Sequence, residues 1–79
     1  MALVTELVKE EVKRPKLHPT QLPCYWSISF VDGSEGPVLQ LDTRGSPGRQ
    51  SRPKQSQTLQ FDRRSAEQLF LILKKEFNL

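Results

Sequence analysis

The sequence predicts a small α+β domain: a three-stranded antiparallel sheet followed by a C-terminal helix and preceded by a short N-terminal helix. Two central segments, and a shorter one after a loop, alternate apolar and polar residues as strands do. The C-terminal segment instead repeats its apolar residues with the period of a helix. A chain of 79 residues has room for one domain. We therefore divide it into an N-terminal helix with a proline-containing connector over 1–20 and a βββα domain over 21–79.

The N-terminal helix is predicted over residues 2–14. Its apolar residues recur at spacings of three and four, which is an amphipathic pattern; they are Leu3, Val4, Leu7, Val8 and Val12. Pro15 ends the predicted helix because the residue before a proline disfavours helical backbone. A helix of this length is marginal in isolation, so we expect it to dock on the rest of the chain. Residues 15–23 hold Pro15, Pro19 and Pro23 and predict an extended connector.

The first predicted strand covers residues 24–31. Trp26, Ile28 and Phe30 fall on one face of it, because successive side chains of a strand point to opposite sides. The sequence DGSEG at 32–36 predicts a turn. We expect Trp26 to lie in the core of the domain or in the core of a dimer; the alternative is an exposed aromatic residue that contacts a ligand.

Two further strands are predicted over residues 37–43 and 56–61. Leu39 and Leu41 share one face of the former, and Leu59 and Phe61 point inward from the latter. A short turn and one long loop between consecutive strands favour an antiparallel meander.

The C-terminal segment predicts an amphipathic helix that starts with Asp62 or Ser65 as its N-cap. Ser65 followed by Gln68 fits the capping box. One apolar stripe suffices to cover a small sheet; this stripe consists of Ala66, Leu69, Phe70, Leu73 and Phe77. Leu71 and Ile72 lie outside it. They favour a second contact surface for a partner chain, and the alternative is a deeper core against the N-terminal helix.

Composition favours an intracellular interaction module. Only 35% of the residues are apolar, a low share for a chain that must fold alone. One Cys and one His exclude an internal disulfide and a four-ligand zinc site, so we expect another chain to complete the core. No nucleophile motif or phosphate-binding loop is present, so we predict a non-enzymatic protein without a cofactor. The short apolar runs predict no membrane insertion, and the lone Cys suits the cytoplasm, with the nucleus as a further possibility.

The excess positive charge lies in residues 44–54, which hold four basic residues and no acidic one. This stretch is either a solvated loop between strands or a contact for an anion. In the second interpretation the chain is a small basic adaptor for nucleic acid or phosphate. The candidate anion contacts are Arg44, Arg49, Arg52, Lys54, Arg63 and Arg64.

The order of these elements resembles the COMM domain, the C-terminal module of the COMM-domain protein family. The resemblance covers about residues 21–77 and rests on QLPCYWSISF, on PVLQLDT and on TLQFDRRSAEQLFLILKKEF. The turn after the first strand is shorter than is usual for the family, and the basic loop is longer.

The resemblance implies a βββα unit that pairs with related domains into intimate homo- or heterodimers. It also implies larger assemblies that act as scaffolds in endosomal trafficking. The expected partner interface consists of Trp26, Ile28, Phe30, Leu39, Leu41, Leu69, Leu71, Ile72 and Leu73.

Overall fold

The computed structural model describes residues 1–45 and 55–79, which form one sheet and one C-terminal helix. The strands are β1 (Ala2–Val4), β2 (Cys24–Phe30), β3 (Pro37–Arg44) and β4 (Gln55–Phe61), and the helix α1 covers Arg63–Glu76. The strands lie in the order β1-β4-β3-β2. The predicted α+β class is confirmed.

The three predicted strands are present, with ends that differ by at most one residue from the prediction. β2 pairs antiparallel with β3, which pairs antiparallel with β4. The predicted strand 24–31 ends one residue early because the Val31 carbonyl accepts a hydrogen bond of 3.1 Å from the Ser34 N–H and so begins the turn. Gly33 and Gly36 have φ angles of 90° and 84°, a region that favours glycine.

The predicted N-terminal helix over 2–14 is wrong, and so is the predicted sheet of three antiparallel strands. Residues 2–4 form β1, which pairs in parallel with β4 by placing Ala2 beside Leu59 and Val4 beside Phe61. The sheet therefore has four strands and is mixed. The physical reason is that the outer edge of β4 offers unpaired backbone groups, which a short strand satisfies and a thirteen-residue helix does not.

Asp62, and not Ser65, is the N-cap of α1. Its carboxylate Oδ1 accepts hydrogen bonds of 3.1 Å from both the N–H and the hydroxyl of Ser65. The first of these two bonds is the main reason that the pKa of Asp62 is held below its ordinary value. The predicted pairing of Ser65 with Gln68 does not form, because the Gln68 Oε1 accepts a hydrogen bond from the Leu7 N–H at 3.0 Å.

The apolar core is very small for a chain of this length. Among the described residues, the buried apolar side chains are Val38 and Phe61. The accessible surface is 7565 Å², whereas a compact monomer of this mass exposes about 4,900 Å². The radius of gyration is 15.0 Å, against about 12 Å for a compact chain of this length. Among the described residues, exposed large apolar side chains lie on the sheet, on the segment between β1 and β2 and on α1.

Candidate partner interface

One face of the sheet carries nearly all of its large apolar side chains. The register aligns Trp26, Leu41 and Leu59 across β2, β3 and β4, and it aligns Ile28, Leu39 and Phe61 in a second row. We call this surface the apolar face; it consists of Val4, Trp26, Ile28, Phe30, Leu39, Leu41, Leu59 and Phe61. The register also shows that the face shared by Trp26, Ile28 and Phe30 is the face of Leu39 and Leu41.

In the row nearest the start of α1, exposure rises from Phe61 on β4 through Leu39 on β3 to Ile28 on β2, which is 50% exposed; in the second row Leu59 on β4 is already 44% exposed. Phe61 is 5% exposed, and Leu39 and Leu41 are half-buried. Trp26 is 71% exposed and Phe30 is 82% exposed. Neither residue is part of a core within the single chain, so the placement of Trp26 in the domain core is wrong. Its placement in a dimer core or at a ligand contact stays a prediction.

The gradient follows from where α1 lies. The helix begins one residue after β4 ends, so its first turns lie beside the Phe61 end of the sheet, where α1 contacts β3 and β4. An open groove remains between the helix and the sheet, with Ala66 and Phe70 on one side and Ile28 and Leu39 on the other. The far end of the helix leaves its own apolar residues uncovered.

The exposed apolar residues of α1 extend the surface away from the sheet. Leu69 is half-buried, whereas the apolar residues after it are exposed; they are Phe70, Leu71, Ile72, Leu73 and Phe77. Leu71 and Ile72 face a groove that Leu7 and Val8 also line. The N-terminal segment thus approaches α1 without forming a helix, and the side chains of Leu71 and Ile72 remain exposed.

The opposite face of the sheet, which we call the polar face, carries a chain of hydrogen bonds. The Thr58 hydroxyl donates to Asp42 Oδ1 at 2.6 Å, and the Gln40 amide donates to both Asp42 oxygens at 3.3 and 3.1 Å. The Gln60 amide in turn donates to Gln40 Oε1 at 3.1 Å. This network runs across β3 and β4, and Thr58 is 6% exposed.

The candidate anion contacts that the structure describes are not brought together. Arg44 ends β3 beside Gln55, and its guanidinium lies 4.2 Å from the centre of the Tyr25 ring. Arg63 and Arg64 begin α1, just after the other end of β4. Six residues of β4 separate the two ends by about 20 Å. Arg63 also pairs with Glu67 at 3.2 Å; the other candidates, Arg49, Arg52 and Lys54, lie outside the described residues.

The remaining candidate chemical groups are isolated from one another. Cys24 is a free, exposed thiol, and the Nδ1 atom of His18 accepts a hydrogen bond of 3.0 Å from the Thr20 N–H. Within residues 1–45 and 55–79, no three His, Cys, Asp or Glu side chains gather as ligands for a metal ion. In the same ranges, no helix has the length and apolar character needed to cross a bilayer.

Sequence reasoning omitted three exposed apolar residues from the interface. Leu59 belongs to the apolar face, and Phe70 and Phe77 extend the exposed side of α1. The sequence held the signal for all three residues. Leu59 alternates with Phe61 along the strand, and Phe70 and Phe77 belong to the apolar stripe of the helix. The hydrogen-bond chain of the polar face was also missed; its only signal was the run of polar residues alternating with leucines in β3 and β4.

Comparisons of the chain with protein-family models, with curated proteins and with solved structures found no significant match.

Proposed function

We propose that this chain is a non-enzymatic interaction module, which dimerises through its apolar face and the exposed side of α1 with a second copy or with a related domain. One observation carries the proposal: Trp26 and Phe30 share a face with the buried Phe61 yet remain 71% and 82% exposed. An exposed apolar surface of this extent is typical of a protein interface. A typical aromatic side chain removes about 150–250 Å² from water when it is buried.

The excess surface supports the same proposal quantitatively. The chain exposes about 2,700 Å² more than a compact monomer of its mass. A stable interface buries about 600–1,000 Å² on each partner, and permanent ones bury more. A partner on the apolar face would therefore bury part of this excess.

The COMM-domain resemblance adds a partner class. The order β2-β3-β4-α1 has the three antiparallel strands and C-terminal helix that the resemblance implies. On that resemblance the partner is another COMM-like domain, and the assembly acts as an intracellular scaffold in endosomal trafficking. β1 is an addition to the pattern, and it extends the sheet beside β4.

Light scattering on Phe30→Lys tests the proposal. A lysine at this position places a charge in the apolar interface, so we expect the mass of the wild-type assembly to fall by half. Ser29→Lys is the matched control, because Ser29 is the exposed neighbour of Phe30 on the other face of β2; it should keep the wild-type mass. A wild-type mass equal to that of one chain, or an unchanged mass for Phe30→Lys, contradicts the proposal. A mass that falls steeply with added salt points instead to charged contacts.

A further inference from the structure

The two edges of the sheet differ in how they are protected against pairing. β1 forms one edge and is three residues long, which is a common device for blunting an edge. β2 forms the other edge and has seven residues. Within β2 there is no proline and no charged residue, and the β2–β3 register runs without a bulge from Cys24 to Phe30. In the described part of the chain, no strand pairs with the outer side of β2.

An unprotected edge of this length exposes backbone N–H and C=O groups that can accept another strand. Its sequence is uncharged and rich in aromatic and β-branched residues, which is the composition that favours strand pairing. The question is which strand fits it.

The side-chain pattern of β2 is complementary to itself. If Ser27 lies opposite Ser27 of a second antiparallel copy, Trp26 lies opposite Ile28 and Cys24 lies opposite Phe30. All the apolar side chains then stay on one face, and the serines and Tyr25 stay on the other. A two-fold axis midway between the two Ser27 residues makes the contact isologous, so the edge contact by itself closes as a dimer.

We propose that β2 pairs with β2 of a second copy in this register and joins two four-stranded sheets into one continuous sheet. This pairing takes place at the outer backbone edge of β2, whereas the proposed function concerns the apolar face. The edge pairing is therefore a second contact, which joins dimers formed through the apolar face into a larger assembly. It also places Trp26 beside an apolar neighbour, which makes the combined apolar face continuous across both copies.

Disulfide trapping tests the register directly. In a Cys24→Ser background, Ser27→Cys places two thiols on opposing residues, where the Cα atoms of a paired strand lie about 4.5–5.5 Å apart. The matched control Ser29→Cys places its two thiols four residues out of register, about 13 Å apart. Under mild oxidation we expect a covalent dimer from Ser27→Cys and none from Ser29→Cys. The proposal is overturned if Ser27→Cys gives no covalent dimer, or if both variants give the same yield of covalent dimer. If the β2 edge binds an extended peptide and not a second copy, Ser27→Cys gives no covalent dimer.

A charge swap supplies an independent measurement. Ser27→Lys and Ser27→Glu each place like charges opposite each other across the two-fold axis, so each variant alone should lose half of the wild-type mass. A mixture of the two should recover that mass, because the opposing charges then attract. Failure of the mixture to recover the lost mass contradicts the pairing. Leu59→Lys separates the two proposals, because Leu59 is an exposed residue of the apolar face on β4, away from the β2 edge; it should halve the mass by opening the face and still allow the covalent dimer at position 27.

Discussion

The two faces of this sheet invert the usual relation between polarity and burial. On the polar face, Thr58 is 6% exposed and its hydroxyl lies 2.6 Å from Asp42. On the apolar face, Trp26 is 71% exposed and Phe30 is 82% exposed. On the polar face the side chains of β3 and β4 hydrogen bond to one another within one chain, across the two strands.

The apolar face is not stabilised in this way, since apolar side chains stabilise a structure by being removed from water. The single helix covers the Phe61 end of this face and leaves the β2 end open. The difference shows that hydrogen bonds across β3 and β4 support the register within one chain, whereas the proposed partner would have to cover most of the apolar face. Removing side chains from each face separates these two contributions.

The largest effect is expected for Phe61→Ala, at the only part of the apolar face that is buried within the chain. Deleting a buried phenylalanine side chain costs about 3–5 kcal/mol, and the whole stability expected for a chain of this length is about 4–12 kcal/mol. Thermal unfolding followed by circular dichroism should show most of the stability lost. At a concentration low enough to separate the proposed partner copies, Phe30→Ala removes the same side chain from an exposed position and should cost much less. Equal losses for the two variants under those conditions would mean that Phe30 is buried within the single chain.

Trp26 offers the second measurement, because it is the only tryptophan of the chain. In an assembly closed over the apolar face its fluorescence should be blue-shifted, and dilution should shift the maximum to the red as Trp26 returns to water. Trp26→Ala should lower the mass of the assembly. Emission like that of free tryptophan at every concentration would show that no partner copy covers this residue.

Local alternation predicted β2, β3 and β4 to within one residue, and for a physical reason. The period of two in Trp26, Ile28 and Phe30 depends only on strand geometry, so one sequence suffices to assign these residues to one face. Whether that face is covered depends on α1 and on a partner. The exposure of Trp26 could therefore not be predicted from the residues around it in the sequence.

The N-terminal error has a different cause. Leu3, Val4, Leu7, Val8 and Val12 fit the helical spacing. Three of them are β-branched valines, which lower the helix propensity. What decides the outcome is the open edge of β4, about 55 residues away in sequence, where Val4 pairs beside Phe61. No pattern within residues 2–14 reports that edge. The sequence also did not decide between Asp62 and Ser65 as the N-cap of α1, because the position of the cap depends on where β4 ends.

A smaller effect is expected from breaking the polar face. Thr58→Val keeps the shape of the side chain but removes the hydroxyl that donates to Asp42 at 2.6 Å. The loss should be about 1–2 kcal/mol, since a half-buried carboxylate loses one of its donors. Unfolding by urea measures it, and Thr58→Ser, which keeps the hydroxyl, is the control. The mass of the assembly should stay unchanged, because this face is not the proposed interface. A loss of mass with intact stability would assign partner binding to the polar face.

The smallest effect is expected at Asp62, which directs the chain from β4 into the helix over the apolar face. Its carboxylate accepts from the N–H and the hydroxyl of Ser65, and these bonds hold the pKa of Asp62 below its ordinary value. A carboxyl whose pKa is lowered in the folded state adds stability above its unfolded-state pKa. That stability is lost as the pH falls through the lower, folded-state pKa. Asp62→Ala should therefore lower the Tm at neutral pH by less than Thr58→Val does, and the difference from wild type should vanish in acid.

Asp62→Asn is the matched variant for this cap, because asparagine keeps an acceptor for the Ser65 N–H but does not titrate. It should retain most of the wild-type Tm at neutral pH and lose less of it on acidification. Circular dichroism melts of all three chains between neutral and acidic pH measure this ordering. A wild-type Tm whose acid dependence is the same as that of Asp62→Asn would show that the charge of Asp62 does not stabilise the start of α1. The helix would then be held over Phe61 by its apolar contacts alone.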